Sequence, residues 1–200
     1  MNTAICLDLD GTVTRQEVLP RIAKHLEIHE EIETLTNATI KGFIPFESSF
    51  KLRVRLLKEF SAESVRESLR SIPLYENICE LMKKHPDNFF IVTGNLDVWV
   101  NELIKKIGVQ AFTSTAKIKA DEVIGIEKIL NKADAVNEIR KKFQRVVAVG
   151  EGMNDIPMFE AADIAIAYGA THPPVRTALE LCDLVINNEN TLCRLLKTLL

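Results

Sequence analysis

Five short apolar runs, rich in β-branched residues, recur along the chain and each stops at polar residues or glycine. They are AICLDLD (4–10), FFIVTGN (89–95), RVVAVGEG (145–152), ADIAIAYG (162–169) and CDLVINN (182–188). Helical periodicity fills 74–85, 96–107, 131–142, 154–161, 174–181 and 190–199. Strand alternating with helix predicts an α/β fold built on a parallel, Rossmann-like sheet with helices on both faces.

Two segments break the alternation. Residues 15–72 show only helical periodicity, with turn signals at Gly42 and Pro45 and a helix start near Ser61. This predicts an all-helical insertion after the first strand, with 1–14 and 73–200 forming the core. The second break, TSTAKIKADEVIGIEKI (113–129), alternates like a β-hairpin turning at Ala120-Asp121. It is either a small second cover or an exposed edge.

With 200 residues, 46% of them apolar and 26% charged, the chain suits one globular domain of good size, or a core with a smaller appended unit. A net charge of −3 gives no electrostatic case for nucleic acid or an anionic membrane as partner. The apolar stretches are strand-length, so neither a membrane span nor a signal peptide is expected, and the cytoplasm is the default setting. Cys6, Cys79, Cys182 and Cys193 form no CxxC pair and read as free thiols rather than a zinc site.

In an open α/β sheet, ligands bind at the carboxyl ends of the strands. Asp8 and Asp10, then Thr93-Gly94-Asn95, then Glu151 with Asn154 and Asp155, all fall there. Clustered carboxylates repel unless a cation or a shared proton relieves them, and a cluster of oxygens suits magnesium. One aspartate here would read as a loop cap; four acids at strand ends do not. The turn at Thr93-Gly94-Asn95 offers backbone N–H groups to a phosphate, although Thr93 or Asn95 could equally be a plain helix cap. Lys132 falls in the first turn of a predicted helix, where a cation opposes the dipole. A nearby phosphate would make that favourable; a solvated lysine would tolerate it. Together these groups describe phosphoryl transfer. One aspartate attacks phosphorus, a second handles the proton, and magnesium with Lys132 offsets the phosphoryl charge.

At this point the residues resemble the haloacid dehalogenase superfamily of phosphatases and, within it, the phosphoserine phosphatase family. DLDGTVT (8–14) looks like that family's first motif, the threonine of VTGN its second, Lys132 its third, and GEGMNDIPM (150–158) its fourth. The resemblance implies Asp8 as nucleophile and Asp10 as general acid/base. It implies magnesium held by Asp8, the Asp10 main-chain carbonyl and Glu151. Phosphate would be bound by Thr93, Gly94 and Lys132, with Asn95 placed to add a hydrogen bond to it or to cap the next helix. Asn154 and Asp155 would support the site, and 15–72 would be a cap closing over it. Where this chain has Glu151 the family normally has aspartate, and the extra methylene carries the carboxylate about 1.5 Å further. The choices for Glu151 are a retreating loop, a water bridge or weaker metal binding.

Within the insertion, a helical wheel puts Phe43, Phe46, Phe50, Val54, Leu57 and Phe60 on one stripe, with Arg53 inside it. Arginine among aromatics is costly unless it meets an anion or snorkels out. The resemblance gives Arg53 to a substrate carboxylate, Glu17 to its amino group, and Phe46 to the closing aromatic. Glu17 could otherwise pair with Arg21 one turn on. The implied substrate is a small phosphorylated metabolite, O-phospho-L-serine first. A sugar phosphate, a nucleotide, or a binding protein with an impaired metal site are the alternatives. A receiver-type signalling domain is disfavoured by the long insertion.

Overall fold

The structure, a computed structural model, describes residues 2–40 and 43–200. Gly42, and with it one expected turn, lies outside the described residues. Seven strands form one sheet: β1 (Thr3–Leu7), β2 (Phe89–Leu96), β3 (Gln110–Lys119), β4 (Glu122–Lys128), β5 (Arg145–Gly150), β6 (Ile164–Tyr168) and β7 (Leu184–Ile186). Their order is β4-β3-β2-β1-β5-β6-β7, and every pair is parallel except β3–β4.

The core strands alternate by face because successive side chains point opposite ways. Ile5 and Leu7 join one cluster, while Ala4 and Cys6 join the other. The second cluster is closed by α7 (Lys132–Arg140), α8 (Ile156–Ala161) and α9 (Arg176–Leu181). On the first face lie α5 (Glu76–Lys84), α6 (Asp97–Ile107) and α10 (Glu189–Leu199). The first cluster continues without a break into the helices inserted after β1.

Those are α1 (Val18–His25), α2 (His29–Ile40), α3 (Phe46–Leu57) and α4 (Ala62–Leu69). They form the helical cap expected from the sequence. Its two chain crossings are zipped together: Arg15 N–H donates to Pro73 O at 2.8 Å and Tyr75 N–H to Val13 O at 3.0 Å. The hairpin does turn at Ala120-Asp121, both in the left-handed region at φ 47° and 63°. Its tip grips the cap. Asp121 O accepts from Ala62 N–H at 3.0 Å, and its carboxylate accepts from Glu63 N–H at 3.2 Å and Arg66 at 3.0 Å.

The hairpin forms an edge of the sheet, with β4 outermost, and β3 begins at Gln110, where its first residues pair in parallel with β2. One expectation needs correcting: the cap helix is shorter than its aromatic stripe. Pro45 is its N-cap, so Phe43 lies before it, 78% exposed, and Phe60 falls beyond its C-cap, Lys58.

Candidate active site

Register brings the site residues to one rim. Leu7 pairs with Ile91 on one side and with Val149 on the other, so Asp8, Val92 and Gly150 lie side by side at the rim, and β2 runs on past them to Leu96. Asp8 N–H then donates to Val149 O at 2.9 Å. Beyond β1 the order reverses, with β2 and β3 on one side and β5 on the other, which is where such sheets open a crevice. The chain leaves Asp10 through Gly11 at φ 67°, a conformation glycine adopts without cost.

Lys132 lies at the centre. Its Nζ is 2.7 Å from Asp8 Oδ1 and 2.6 Å from Asp155 Oδ1, and all three side chains are almost wholly buried. The reading of Lys132 as a solvated lysine is therefore excluded. Burial alone would lower its pKa; Asp155 and Asp8 overcome that and hold it above its ordinary value. Asp155 also ties the fourth-motif loop, since its Oδ2 accepts from Glu151 N–H at 2.9 Å and Gly152 N–H at 2.8 Å. It packs so closely over Gly150 that a Cβ there would come within 2.5 Å of its carboxyl carbon.

Glu151 bends over the Gly11 turn. Its Oε2 accepts from the Thr12 hydroxyl at 2.7 Å, and its Oε1 would stand 2.6 Å from a Cβ at residue 11. The longer side chain fits because position 11 has no Cβ. Burial pushes the Glu151 carboxyl well above its ordinary value, and Asp155 and Asp8 push it further. Asp8 is raised likewise by burial and by Asp155, with Lys132 opposing. Three buried carboxyl groups face one ammonium, an excess of acid that a hard dication among them would relieve. Among the described residues no three acidic, histidine or cysteine side chains form a ready-made cage. A magnesium ion that keeps several waters and takes ligands from phosphate needs none.

Asp10 turns its carboxylate the other way. Oδ1 accepts from Val18 N–H at 2.6 Å, at the start of α1, and Oδ2 from Asn95 Nδ2 at 2.5 Å. Burial, with Glu17 nearby, pushes its pKa up to about 7, while those two donors pull the other way. Thr93 is buried, and its hydroxyl accepts from Asn95 N–H at 3.2 Å and Nδ2 at 2.9 Å. Neither residue caps α6, whose N-cap is Leu96. Asn95 is thus not the cap it could have been, and it directs both amide hydrogens to Asp10 and Thr93. The Gly94 carbonyl accepts from buried Ser114, whose Oγ also accepts from Leu130 N–H, so one hydroxyl joins the second and third motifs.

Above these residues lies a cavity of about 310 Å³, lined by Asp8, Asp10, Asn95 and Glu151 from the core and by Glu17, Phe46 and Arg53 from the cap. Asn154 also lines it. Phe46 covers the Thr93-Gly94 turn: its Cζ would be 2.8 Å from a Cβ at Gly94, so a side chain there would have to push the ring aside. Phe46 stacks on Phe50 with centroids 5.7 Å apart. Arg53 is 6% exposed, and its one hydrogen bond among the described residues is Nε to Ser49 O at 3.4 Å. Burial lowers its pKa against the pull of Asp10 and Glu17. Glu17 faces His172 at 3.4 Å, while Arg21 turns to Ser68 and Ser71. The expected Glu17–Arg21 alternative does not form. His172 was not singled out from the sequence; its one signal is position, in THPP just past the end of β6.

A family model described as haloacid dehalogenase-like hydrolase matches residues 3–163. The chain belongs to that family. Phosphoserine phosphatase of Methanocaldococcus jannaschii is 30% identical over 191 residues, covering 89% of this chain and 90% of that one. A substrate-bound phosphoserine phosphatase complex superposes with a TM-score of 0.83 at 27% identity, over 98% of this chain and 97% of that one. A phospho-aspartyl intermediate analogue of phosphoserine phosphatase gives 0.77 at 27%, over 94% and 93%. The parallel sheet and inserted helices of this haloacid dehalogenase-like hydrolase are thus those of phosphoserine phosphatase structures.

Proposed function

We propose that this hydrolase removes phosphate from O-phospho-L-serine, with magnesium, through an aspartyl-phosphate on Asp8. The cytoplasm is the proposed setting; no described helix is long and apolar enough to cross a membrane. The carrying observation is one cavity bounded by Asp8 and Asp10 below and by Arg53 and Glu17 above.

Asp8 Oδ attacks phosphorus while Asp10, titrating near 7, protonates the departing serine oxygen. Asp10 then takes a proton from the water that releases phosphate from Asp8. Thr93, the Gly94 backbone and Lys132 hold the phosphoryl oxygens, and Asp155 and Asn154 keep Lys132 and the loop in place. Asp8, the Asp10 carbonyl and Glu151 would hold magnesium, which would supply charge compensation for those oxygens. The Arg53 fork, short of partners and buried, takes the substrate carboxylate, and Glu17 takes the ammonium. Phe46 and the cap (residues 15–72) exclude bulk water from the acyl phosphate.

The test is phosphate release with magnesium over phosphoserine, sugar phosphates, nucleotides and p-nitrophenyl phosphate. Phosphoserine should be the preferred ester. Arg53→Ala should cost roughly 10²-fold in kcat/KM on phosphoserine, the weight of a buried charge-assisted pair. It should cost far less on p-nitrophenyl phosphate. Equal losses on both would refute the substrate assignment.

A further inference from the structure

Asp10 carries its carboxyl on a short side chain whose last torsion is broad, so something else must fix its plane. Two donors do so from opposite directions. Val18 N–H comes from the cap at 2.6 Å to Oδ1, and Asn95 Nδ2 comes from the core at 2.5 Å to Oδ2. The second hydrogen of that amide goes to Thr93 Oγ1 at 2.9 Å, and Asn95 is 5% exposed. A primary amide has two hydrogens to give, and both are used. We propose that Asn95 is a positioning residue for acid–base catalysis, holding the Asp10 carboxyl where it meets the leaving oxygen, rather than a phosphate ligand.

This rests on the reading of Asp10 as the proton donor. As Asp8 Oδ bonds to phosphorus, the ester P–O bond breaks and its electron pair stays on the leaving oxygen. The Asp10 proton passes to that oxygen. In the second half, water bonds to phosphorus, gives a proton back to Asp10, and the Asp8 O–P bond breaks.

The need for that proton depends on the leaving group. A serine alkoxide is a strong base and must be protonated as it departs; 2,4-dinitrophenolate leaves unaided. The phosphoryl group transferred is the same in both. A phosphate ligand therefore affects both esters alike, while a positioner of the acid affects only the alkyl ester.

The experiment compares kcat/KM for phosphoserine and for 2,4-dinitrophenyl phosphate in wild type, Asn95→Ala and Asn95→Ser, with magnesium present. The ratio of two substrates on one preparation does not depend on the fraction folded. Asn95→Ala should lower the phosphoserine value by roughly 10²-fold, the usual cost of a misplaced catalytic group, and leave the dinitrophenyl value within about threefold. In an Asp10→Asn background, Asn95→Ala should change the ratio no further. Asn95→Ser keeps one donor and should fall between. A shift in the ratio of less than about tenfold for Asn95→Ala overturns the proposal. If wild type cleaves ethyl phosphate but not phosphoserine, the substrate reading alone fails, and the ratio is taken with ethyl phosphate.

Discussion

Lys132 gives the sharpest test of the electrostatics. Lys132→Met keeps most of the buried stem and removes only the charge that Asp8 and Asp155 share at 2.7 and 2.6 Å. Removing one member of a buried ion pair typically costs about 3–5 kcal/mol, because the partner stays buried and uncompensated. In a chain of 200 residues each kcal/mol moves Tm by about 2–4 °C, so the melt should fall by roughly 10 °C at pH 8 in EDTA. The loss should shrink at acid pH. Burial and Asp155 already raise the Asp8 pKa, and without Lys132 it rises further. As pH falls, the variant's Asp8 therefore takes up its proton sooner than the wild type's, and a neutral carboxyl no longer demands a cation. Lys132→Arg retains the charge and should lose less. The assay is urea unfolding by circular dichroism at pH 5 and pH 8. A cost below about 1 kcal/mol, or one equal at both pH values, would refute the account of Lys132 as the counter-charge of this cluster.

Two further outcomes follow from the same geometry. Asp10 holds its proton up to about pH 7 in the folded chain but only to about 3.8 when exposed. Between those values the folded chain binds more protons than the unfolded one, so the stability from this group is full below 3.8 and is lost as pH rises through 7. From pH 5 to pH 8 that is on the order of 2–3 kcal/mol in the metal-free protein, with the raised Asp8 and Glu151 acting in the same direction. Added magnesium should therefore raise Tm more at pH 8 than at pH 5, and a pH-independent effect would count against a carboxylate metal site. Glu151→Ala should raise the magnesium concentration needed for half-maximal activity by at least about tenfold, and Thr12→Val, which frees Glu151 Oε2, by several-fold. Unchanged metal dependence in Glu151→Ala would remove that residue from the ligand set.

Much of this architecture could be read from the sequence because its punctuation is local. β-branched runs stop at glycine or polar residues, and helix limits expected at 96–107 and 131–142 are found at Asp97–Ile107 and Lys132–Arg140. The strand-end rule also gathered Asp8, Glu151 and Asp155 correctly, since β1 and β5 pair in parallel and end beside each other. What was hidden is non-local. Gln110-Ala111-Phe112 is too short to announce a parallel strand and runs straight into a hairpin pattern. A wheel shows angles but not ends, so it carried α3 back past Pro45 to Phe43. The Asn95–Asp10 and Glu17–His172 contacts join residues far apart in sequence, with no period to reveal them. The room for Glu151 comes from a hydrogen atom at position 11.

The grip of Asp121 on the start of α4 has a mechanical meaning. A cap joined to its core only at the neck, where residues 13–15 meet 73–75, could tilt in any direction. This cap is held also at the hairpin tip and along α6, where Arg66 of α4 donates to Val98 O and faces Glu102. These ties stand well apart along the cap, so a tilt that relieves one strains the other. Lengthening β3 and β4 by two residues each would carry the tip past α4 and leave the neck and the α4–α6 contact to hold the cap.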